Sequence, residues 1–261
     1  MTADADVQAK ARTLKALHEA PEILRVVNVW DPITAKVVSD LEGTAAVATA
    51  GHSIAASHGF PDGEMPLELL LAAVERIVQA TGLPVSADFD AGFGQPGEVT
   101  RRAIGVGVVG ANVEDRLQPF EESVAVMEQV VAAARAEGLD DFQLNARTDV
   151  FVRGQDLSDE QKVAEAIRRG QAFLDVGAAL VFVPGVLDAE VTRALVAGIG
   201  ERKVSVIGLP GALRAAEYEA LGVARISYGP LTQRVALAAY RDLALDLYGD
   251  GVIPEDTPAL N

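Results

Sequence analysis

Short apolar, β-branched runs alternate with longer helical patterns from Arg25 almost to the C-terminus, and this rhythm constrains the fold more than any other feature. There are eight runs: RVVNVW (25–30), AAVAT (45–49), LPVSAD (83–88), GVVGANVE (107–114), DFQLNA (141–146), ALVFV (179–183), KVSVIG (203–208) and ARIS (224–227). Strands of this kind are covered on both faces, as in a parallel sheet whose crossovers are helices.

The segments between the runs carry helix signals of their own. Pro66 opens PLELLLAAVERIVQATG, which closes on Gly82, and Pro96 opens the next helix. Ser158 stands three residues before Gln161, the spacing of a capping box, and that helix ends on Gly177. Eight βα units in 261 residues predict an α/β fold, a closed (β/α)8 TIM barrel. No linker or shift in composition divides the chain, so residues 1–261 read as a single domain. Residues 1–20 read as a polar amphipathic N-terminal helix and not a signal peptide. Residues 230–261 read as a C-terminal helix and a tail that packs on a neighbouring subunit or frays.

Composition removes whole classes of function. The formal charge of −16 argues against nucleic acid and against an anionic membrane surface as partners. No apolar run approaches the roughly 20 residues needed to span a bilayer. Cysteine is absent, which excludes disulfides, thiolate metal sites and thiol nucleophiles. The expectation is a cytoplasmic protein.

In such barrels the chemistry sits at the C-terminal ends of the strands. The third run ends in Asp88-Phe89-Asp90, the fourth in Glu114-Asp115-Arg116, and the fifth leads into Arg147-Thr148-Asp149. Neighbouring strands bring these ends together. Asp88 and Asp90, two apart, can face one side of an extended segment. Oxygen ligands, no cysteine and only three histidines point to a hard cation, Mg²⁺ with Mn²⁺ as its substitute, on Asp88, Asp90 and Glu114. Arg147 is an ion-pair partner for Asp115 or Asp149, or an anchor for a carboxylate or phosphate; its position favours the second role. The Gly-rich loop 91–97 serves mainly to turn the chain into the helix opened by Pro96. Small residues at Ala50 and Gly51 could present backbone amides to an oxyanion, and His52 is either a general acid–base or a structural histidine.

PVSADFDAGFG (84–94), GANVEDR (110–116) and ARTD (146–149), in this order, resemble the isocitrate lyase/phosphoenolpyruvate mutase superfamily. TAGHSIAASHGFPDGE (49–64) resembles that family's substrate-loop region, so the likeness runs from about Val27 to Tyr228. The resemblance implies a (β/α)8 barrel, commonly a dimer of dimers that swaps the eighth helix between subunits. It implies that Asp88 contacts Mg²⁺ most directly, with Asp90 and Glu114 acting through bound water. Arg147 then binds the substrate carboxylate and enolate oxygen, and Asp62 lies near the reacting group. The amides of Ala50, Gly51 and His52 hold the substrate carboxylate.

The departures bear on the reaction. The lyases of that family carry a K-[KR]-C-G-H gating loop after the fourth strand, whereas Arg116-Leu117-Gln118-Pro119 here runs straight into a helix. The P-K-x-x-N-like loop of the mutases is missing too, Val183-Pro184-Gly185 replaces a polar position, and His52 replaces a small or aliphatic one. The expectation is a Mg²⁺-dependent enzyme making or breaking a C–C or P–C bond next to a 2-oxo acid, mutase-like or a cysteine-independent lyase or hydrolase. Its partners are a small anionic 2-oxo acid or phosphoenolpyruvate-like substrate and further copies of itself, as a dimer or tetramer. The alternatives are a class II-type aldolase and a non-catalytic metabolite-binding barrel.

Overall fold

The structure, a computed structural model, describes residues 3–260. Its strands are β1 (Leu24–Val26), β2 (Asn28–Val29), β3 (Val47–Thr49), β4 (Val85–Asp88), β5 (Gly110–Glu114), β6 (Gln143–Arg147), β7 (Leu180–Phe182), β8 (Val204–Ile207) and β9 (Arg225–Ser227). All pair in parallel, in the order β1-β9-β8-β7-β6-β5-β4-β3-β2. Each of the eight apolar runs overlaps an observed strand. The first overlaps two, because the chain breaks its ladder at Val27. Below the break β1 pairs with β9, and above it β2 pairs with β3, so this one strand closes the (β/α)8 cylinder.

The helices are α1 (Ala5–Glu19), α2 (Pro32–Ser39), α3 (Gly51–Ser57), α4 (Leu67–Gln79), α5 (Pro96–Gly105), α6 (Phe120–Ala136), α7 (Val150–Arg153), α8 (Asp159–Asp175), α9 (Ala189–Ile199), α10 (Ala215–Ala220) and α11 (Leu231–Tyr248). In α4, Leu70, Leu71, Val74 and Ile77 recur at helical spacing and form the buried stripe. The capping box on α8 forms: the Ser158 hydroxyl accepts from Gln161 N–H at 3.3 Å, and Ser158 N–H donates to the Gln161 side chain at 2.8 Å.

Helix α1 plugs the N-terminal end of the barrel with Ala11, Leu14 and His18. A Cβ at Gly110 would lie 2.7 Å from the Gln143 carbonyl oxygen and 3.0 Å from Leu14, so only glycine fits beneath the plug. His18 Nδ1 stands 3.0 Å from the Gln143 side-chain oxygen. Burial lowers its pKa to about 3, helped by the charge of Arg225.

Bulky apolar layers usually fill a barrel lumen. Here its middle is polar. Asn145 on β6 donates to Ser205 on β8 at 3.2 Å and to Asn112 on β5 at 2.8 Å. Arg225 on β9 reaches Ser86 on β4 at 3.2 Å, which requires crossing the interior. Arg225 is fully buried, and its Nε and Nη2 have no protein partner. Burial lowers its pKa to about 10, against which the charge of Asp88 acts.

Helix α11 leaves the barrel. Its first turn is tied down by Thr232 on the Asn28 carbonyl and by Gln233 on Ser53 and Ser57. Gln233 is its only buried residue, and Val235, Leu237, Tyr240, Leu245 and Tyr248 are exposed. No described helix is long and apolar enough to cross a membrane.

Candidate active site

At the C-terminal ends of the strands lies a cavity of about 540 Å³. Alternation along the strands decides its lining. Asp88 follows Ser86 on the inward face of β4, Glu114 follows Asn112 on β5, and Arg147 follows Asn145 on β6. The register sets Asp88 beside Asn112 and Glu114 beside Arg147. Phe182, Pro184, Ile207, Leu209 and Pro230 give the cavity apolar surface from β7 round to the start of α11, with Ser227 and Asn28 as polar groups among them.

Of the residues expected from the sequence, Arg147, Asp62, Asp88, Ala50, His52, Asp90 and Glu114 all line this cavity. Gly51 does not line it. Its amide donates to the Asp88 carboxylate at 3.0 Å and is thereby committed to a protein group instead of a ligand. Asp88 N–H in turn donates to the Thr49 hydroxyl at 3.0 Å, so the end of β3 fixes its backbone while the first residue of α3 fixes its carboxylate.

Asp90 reaches the cavity by a different route from the expected one. Strand β4 ends at Asp88, and Asp90 has a left-handed backbone, φ 47°. A turn, and not strand alternation, brings it beside Asp88. Its carbonyl accepts from Glu114 N–H at 2.8 Å, which fixes that turn against β5. Left-handed geometry at a non-glycine residue is strained and persists where its surroundings over-determine it.

Arg147 is both ion-pair partner and cavity wall. Its Nη1 lies 2.9 Å from Glu114 and its Nε 2.7 Å from Asp149, so the sequence alternative involving Asp149 is realised and the one involving Asp115 is not. Neither contact uses Nη2. The guanidinium also stands 6.0 Å from the centre of the Phe182 ring. Burial works against its charge, but Glu114, Asp149 and Asp88 outweigh that and raise its pKa. Glu114 receives Arg116 on its other oxygen at 2.9 Å.

Electrostatically the pocket is divided. Burial pushes the Asp88 carboxyl up, Arg147 and the Gly51 amide pull it down, and Glu114 and Asp62 push it up again, with a net rise. Asp90 is pushed up to about 7 by burial first, then by the charges of Asp88, Glu114 and Asp62. Unbalanced negative charge on hard oxygen donors is what a divalent cation neutralises. Among the described residues no three His, Asp or Glu side chains meet closely enough to cage an ion by themselves. Mg²⁺ keeps several waters and uses one or two protein carboxylates, so the donors present suit it without a closed cage. With both Glu114 oxygens on arginines, Asp88 and Asp90 are the freer donors.

Asp62 and His52 mark the mouth. His52 Nδ1 stands 3.4 Å from Asp62, and the Asp62 side chain is 59% exposed on the loop between α3 and α4.

Other lining residues were not singled out from the sequence. Asn28 accepts from the amides of Tyr228 and Gly229 at 2.8 Å each and donates to the Thr49 carbonyl at 2.9 Å, joining the tops of the first, second and last barrel strands. Its signal was present: an asparagine inside the apolar run RVVNVW. Arg153 lines the cavity from α7 and pairs with Asp149 at 3.2 Å.

The family model described as phosphoenolpyruvate phosphomutase matches residues 14–248. A solved structure from Burkholderia cenocepacia J2315, provisionally named a phosphonomutase, is 35% identical, covering 94% of this chain and 100% of that one, with a TM-score of 0.84. The 2,3-dimethylmalate lyase of Eubacterium barkeri is 29% identical over 260 residues, covering 92% of this chain and 86% of the relative. Oxaloacetate acetylhydrolase, solved with its product oxalate, is 26% identical, covers 96% of this chain and 90% of that one, and has a TM-score of 0.84. From its matched span and its barrel, this chain belongs to the phosphoenolpyruvate mutase/isocitrate lyase superfamily and is an enzyme of that family.

Proposed function

We propose that this enzyme uses Mg²⁺, or Mn²⁺ in its place, to make or break a C–C or P–C bond next to a small anionic 2-oxo acid, through its enolate. One observation carries the reading: carboxylates from the ends of β4 and β5 and an arginine from β6 converge on one cavity. Asp88 and Asp90 are the residues to hold the cation, with Glu114 acting through water. When bound, the cation supplies a Lewis acid for negative charge developing on the 2-oxo oxygen. Arg147 contributes a second positive charge at the same oxygen and at the carboxylate. Glu114 and Asp149 fix its direction in advance. The segment Ala50-Gly51-His52 receives the carboxylate end, with the Gly51 amide turned to Asp88. Asp62 stands with His52 at the mouth, beside the reacting group.

The apolar wall of Phe182, Pro184, Ile207 and Leu209 favours C–C over P–C chemistry. A phosphonate needs charged or hydrogen-bonding partners; these four side chains offer none, and in this cavity such partners come from Arg147, Arg153, Asn28 and Ser227. The relatives named for dimethylmalate and oxaloacetate accord with a carbon substrate. The absence of cysteine excludes a thiol acid in the reaction.

Residues 1–261 act as a single barrel unit in a cytoplasmic homo-oligomer, a dimer or tetramer in which α11 packs on or swaps into a partner. Its unpartnered apolar side chains support that assembly.

The test is incubation with Mg²⁺ and, in turn, phosphoenolpyruvate, phosphonopyruvate, oxaloacetate, methylisocitrate and dimethylmalate, followed by ³¹P NMR and pyruvate release. Turnover of a carbon acid, abolished by EDTA and by Asp88→Ala, is the expected result. Turnover undiminished in Asp88→Ala overturns the site.

A further inference from the structure

The connection from β5 to α6 is short, and a buried ion pair outside the cavity pins it. Asp115 is 3% exposed and Arg169, reaching in from α8, is 4% exposed. Arg169 Nη1 donates to Asp115 Oδ2 and to Ser123 Oγ, both at 3.0 Å. Its Nη2 donates to the Gln118 carbonyl at 2.8 Å, and its Nε to Glu165 at 2.7 Å. One guanidinium thus grips the connection at Asp115 and at Gln118.

The other oxygen of Asp115 does separate work. Oδ1 accepts from Leu117 N–H at 2.8 Å and from Asp149 N–H at 2.9 Å, while Asp115 N–H donates to the Arg147 carbonyl at 3.0 Å. A single side chain therefore joins the loop after β5 to the loop after β6. What it holds on each side is functional in kind. Arg116 and Leu117 are consecutive non-glycine residues in the left-handed region, φ 49° and 54°. Such a pair does not hold itself, since L-residues visit this region singly and at a cost. In this turn Arg116 doubles back to Glu114 and lines the cavity. On the other loop, the fully buried Asp149 carboxylate sets Arg147 and Arg153.

We propose that Asp115 and Arg169 are positioning residues for the site, fixing Arg116 through the left-handed turn and Arg147 through Asp149, so that the loop after β5 is a fixed wall and not a moving gate. This rests on the reading of the cavity as the catalytic centre. The pair touches no substrate. Its effect passes through two arginines that line the cavity.

The test uses the full-length protein with the variants Asp115→Asn, Arg169→Lys and Glu165→Gln. Asparagine keeps an oxygen for the Leu117 and Asp149 amides but sets an N–H₂ against Arg169. Lysine keeps the charge but cannot reach Asp115, Ser123 and Gln118 at once. Glu165→Gln weakens the outer contact of Arg169 and the Arg168 pair on the same helix, neither of which touches residues 115–119, and serves as the control for stability. Three readouts are taken: hydrogen exchange of peptides holding Leu117 and Asp149, binding of oxalate with Mg²⁺ by calorimetry, and kcat and KM on the best acid of the panel. Expected is at least tenfold faster exchange at those two segments in Asp115→Asn, with oxalate binding and kcat/KM each at least tenfold lower. Arg169→Lys falls between Asp115→Asn and wild type, and Glu165→Gln stays within twofold of wild type at a comparable Tm. If exchange and oxalate affinity change only as Tm changes, with Glu165→Gln in line with the others, the pair is merely structural and the proposal fails. If wild type neither binds oxalate nor turns over any acid, the reading of the site fails. The exchange data then decide alone whether the pair pins the two loops.

Discussion

Arg147 and Glu114 are register partners at the ends of β6 and β5, and their side chains meet at 2.9 Å. With Asp149 at 2.7 Å on its Nε, the guanidinium is held in one orientation before any ligand arrives. Lysine keeps the charge and loses the fork. Arg147→Lys is expected to lower kcat/KM by about 10²–10³, the effect of removing one preorganised donor, roughly 2.7–4 kcal/mol. Steady-state kinetics on the preferred acid checks this; a loss under fivefold argues that Arg147 is an ion-pair residue only.

If Asp88 and Asp90 hold the cation as proposed, they are expected to set its preference. Asp88 and Asp90 are few and rigidly placed, which suits Mg²⁺ and Mn²⁺ better than Ca²⁺, whose shell takes 6–8 oxygens at longer distance. Activity lost to EDTA is expected to return with Mg²⁺ or Mn²⁺ and not with Ca²⁺. Equal recovery with Ca²⁺ would contradict this assignment.

Asp62 lies on an exposed loop with His52 as its neighbour at 3.4 Å. Asp62→Asn is therefore expected to lower kcat while moving folding stability by less than about 0.5 kcal/mol, as for other surface changes. Urea unfolding beside kinetics separates the two effects. A large stability loss without a kinetic one reverses the interpretation.

His18 links stability to pH. Its pKa is 6.5 when unperturbed and about 3 in the folded protein, mainly through burial. Below about 6.5 the unfolded chain takes a proton that the folded one refuses, so stability falls as pH falls from there toward 3. The slope approaches about 1.4 kcal/mol per pH unit for one such group. In urea unfolding at pH 7, 6 and 5, the stability advantage of wild type over His18→Gln should shrink with each step. A constant difference would remove His18 from the account of acid sensitivity.

Leu237, Tyr240 and Tyr248 recur on one stripe of α11 and are 56%, 71% and 90% exposed. The paired substitution Leu237→Glu and Tyr240→Asp is expected to convert an oligomer into monomers, read by light scattering on a sizing column. An unchanged mass would place the interface elsewhere.

The fold was legible because strands buried on both faces must be apolar, and the eight runs carry that demand in one dimension. Asp88, Glu114 and Arg147 were legible for the same reason: each is a charge at the end of an apolar run. What escaped depends on contacts distant in sequence or on backbone dihedrals. Nothing near Asp115 in sequence announces Arg169, 54 residues away. The left-handed turn at Asp90 has no glycine to mark it, so strand alternation was the natural and mistaken reason for its placement. Arg225 was visible as a charge inside ARIS, yet nothing in that run announces Ser86, the partner it reaches across the interior.

The polar middle of the barrel has a calorimetric consequence. Unfolding exposes Arg225, Asn112, Asn145, Ser86 and Ser205 together with the apolar shell, and polar exposure lowers the heat capacity of the unfolded state while apolar exposure raises it. The increment on melting should therefore fall below that of a barrel of equal length with a Val, Ile and Leu lumen. A smaller increment flattens the dependence of folding free energy on temperature, so the protein loses stability more gradually on both warming and cooling.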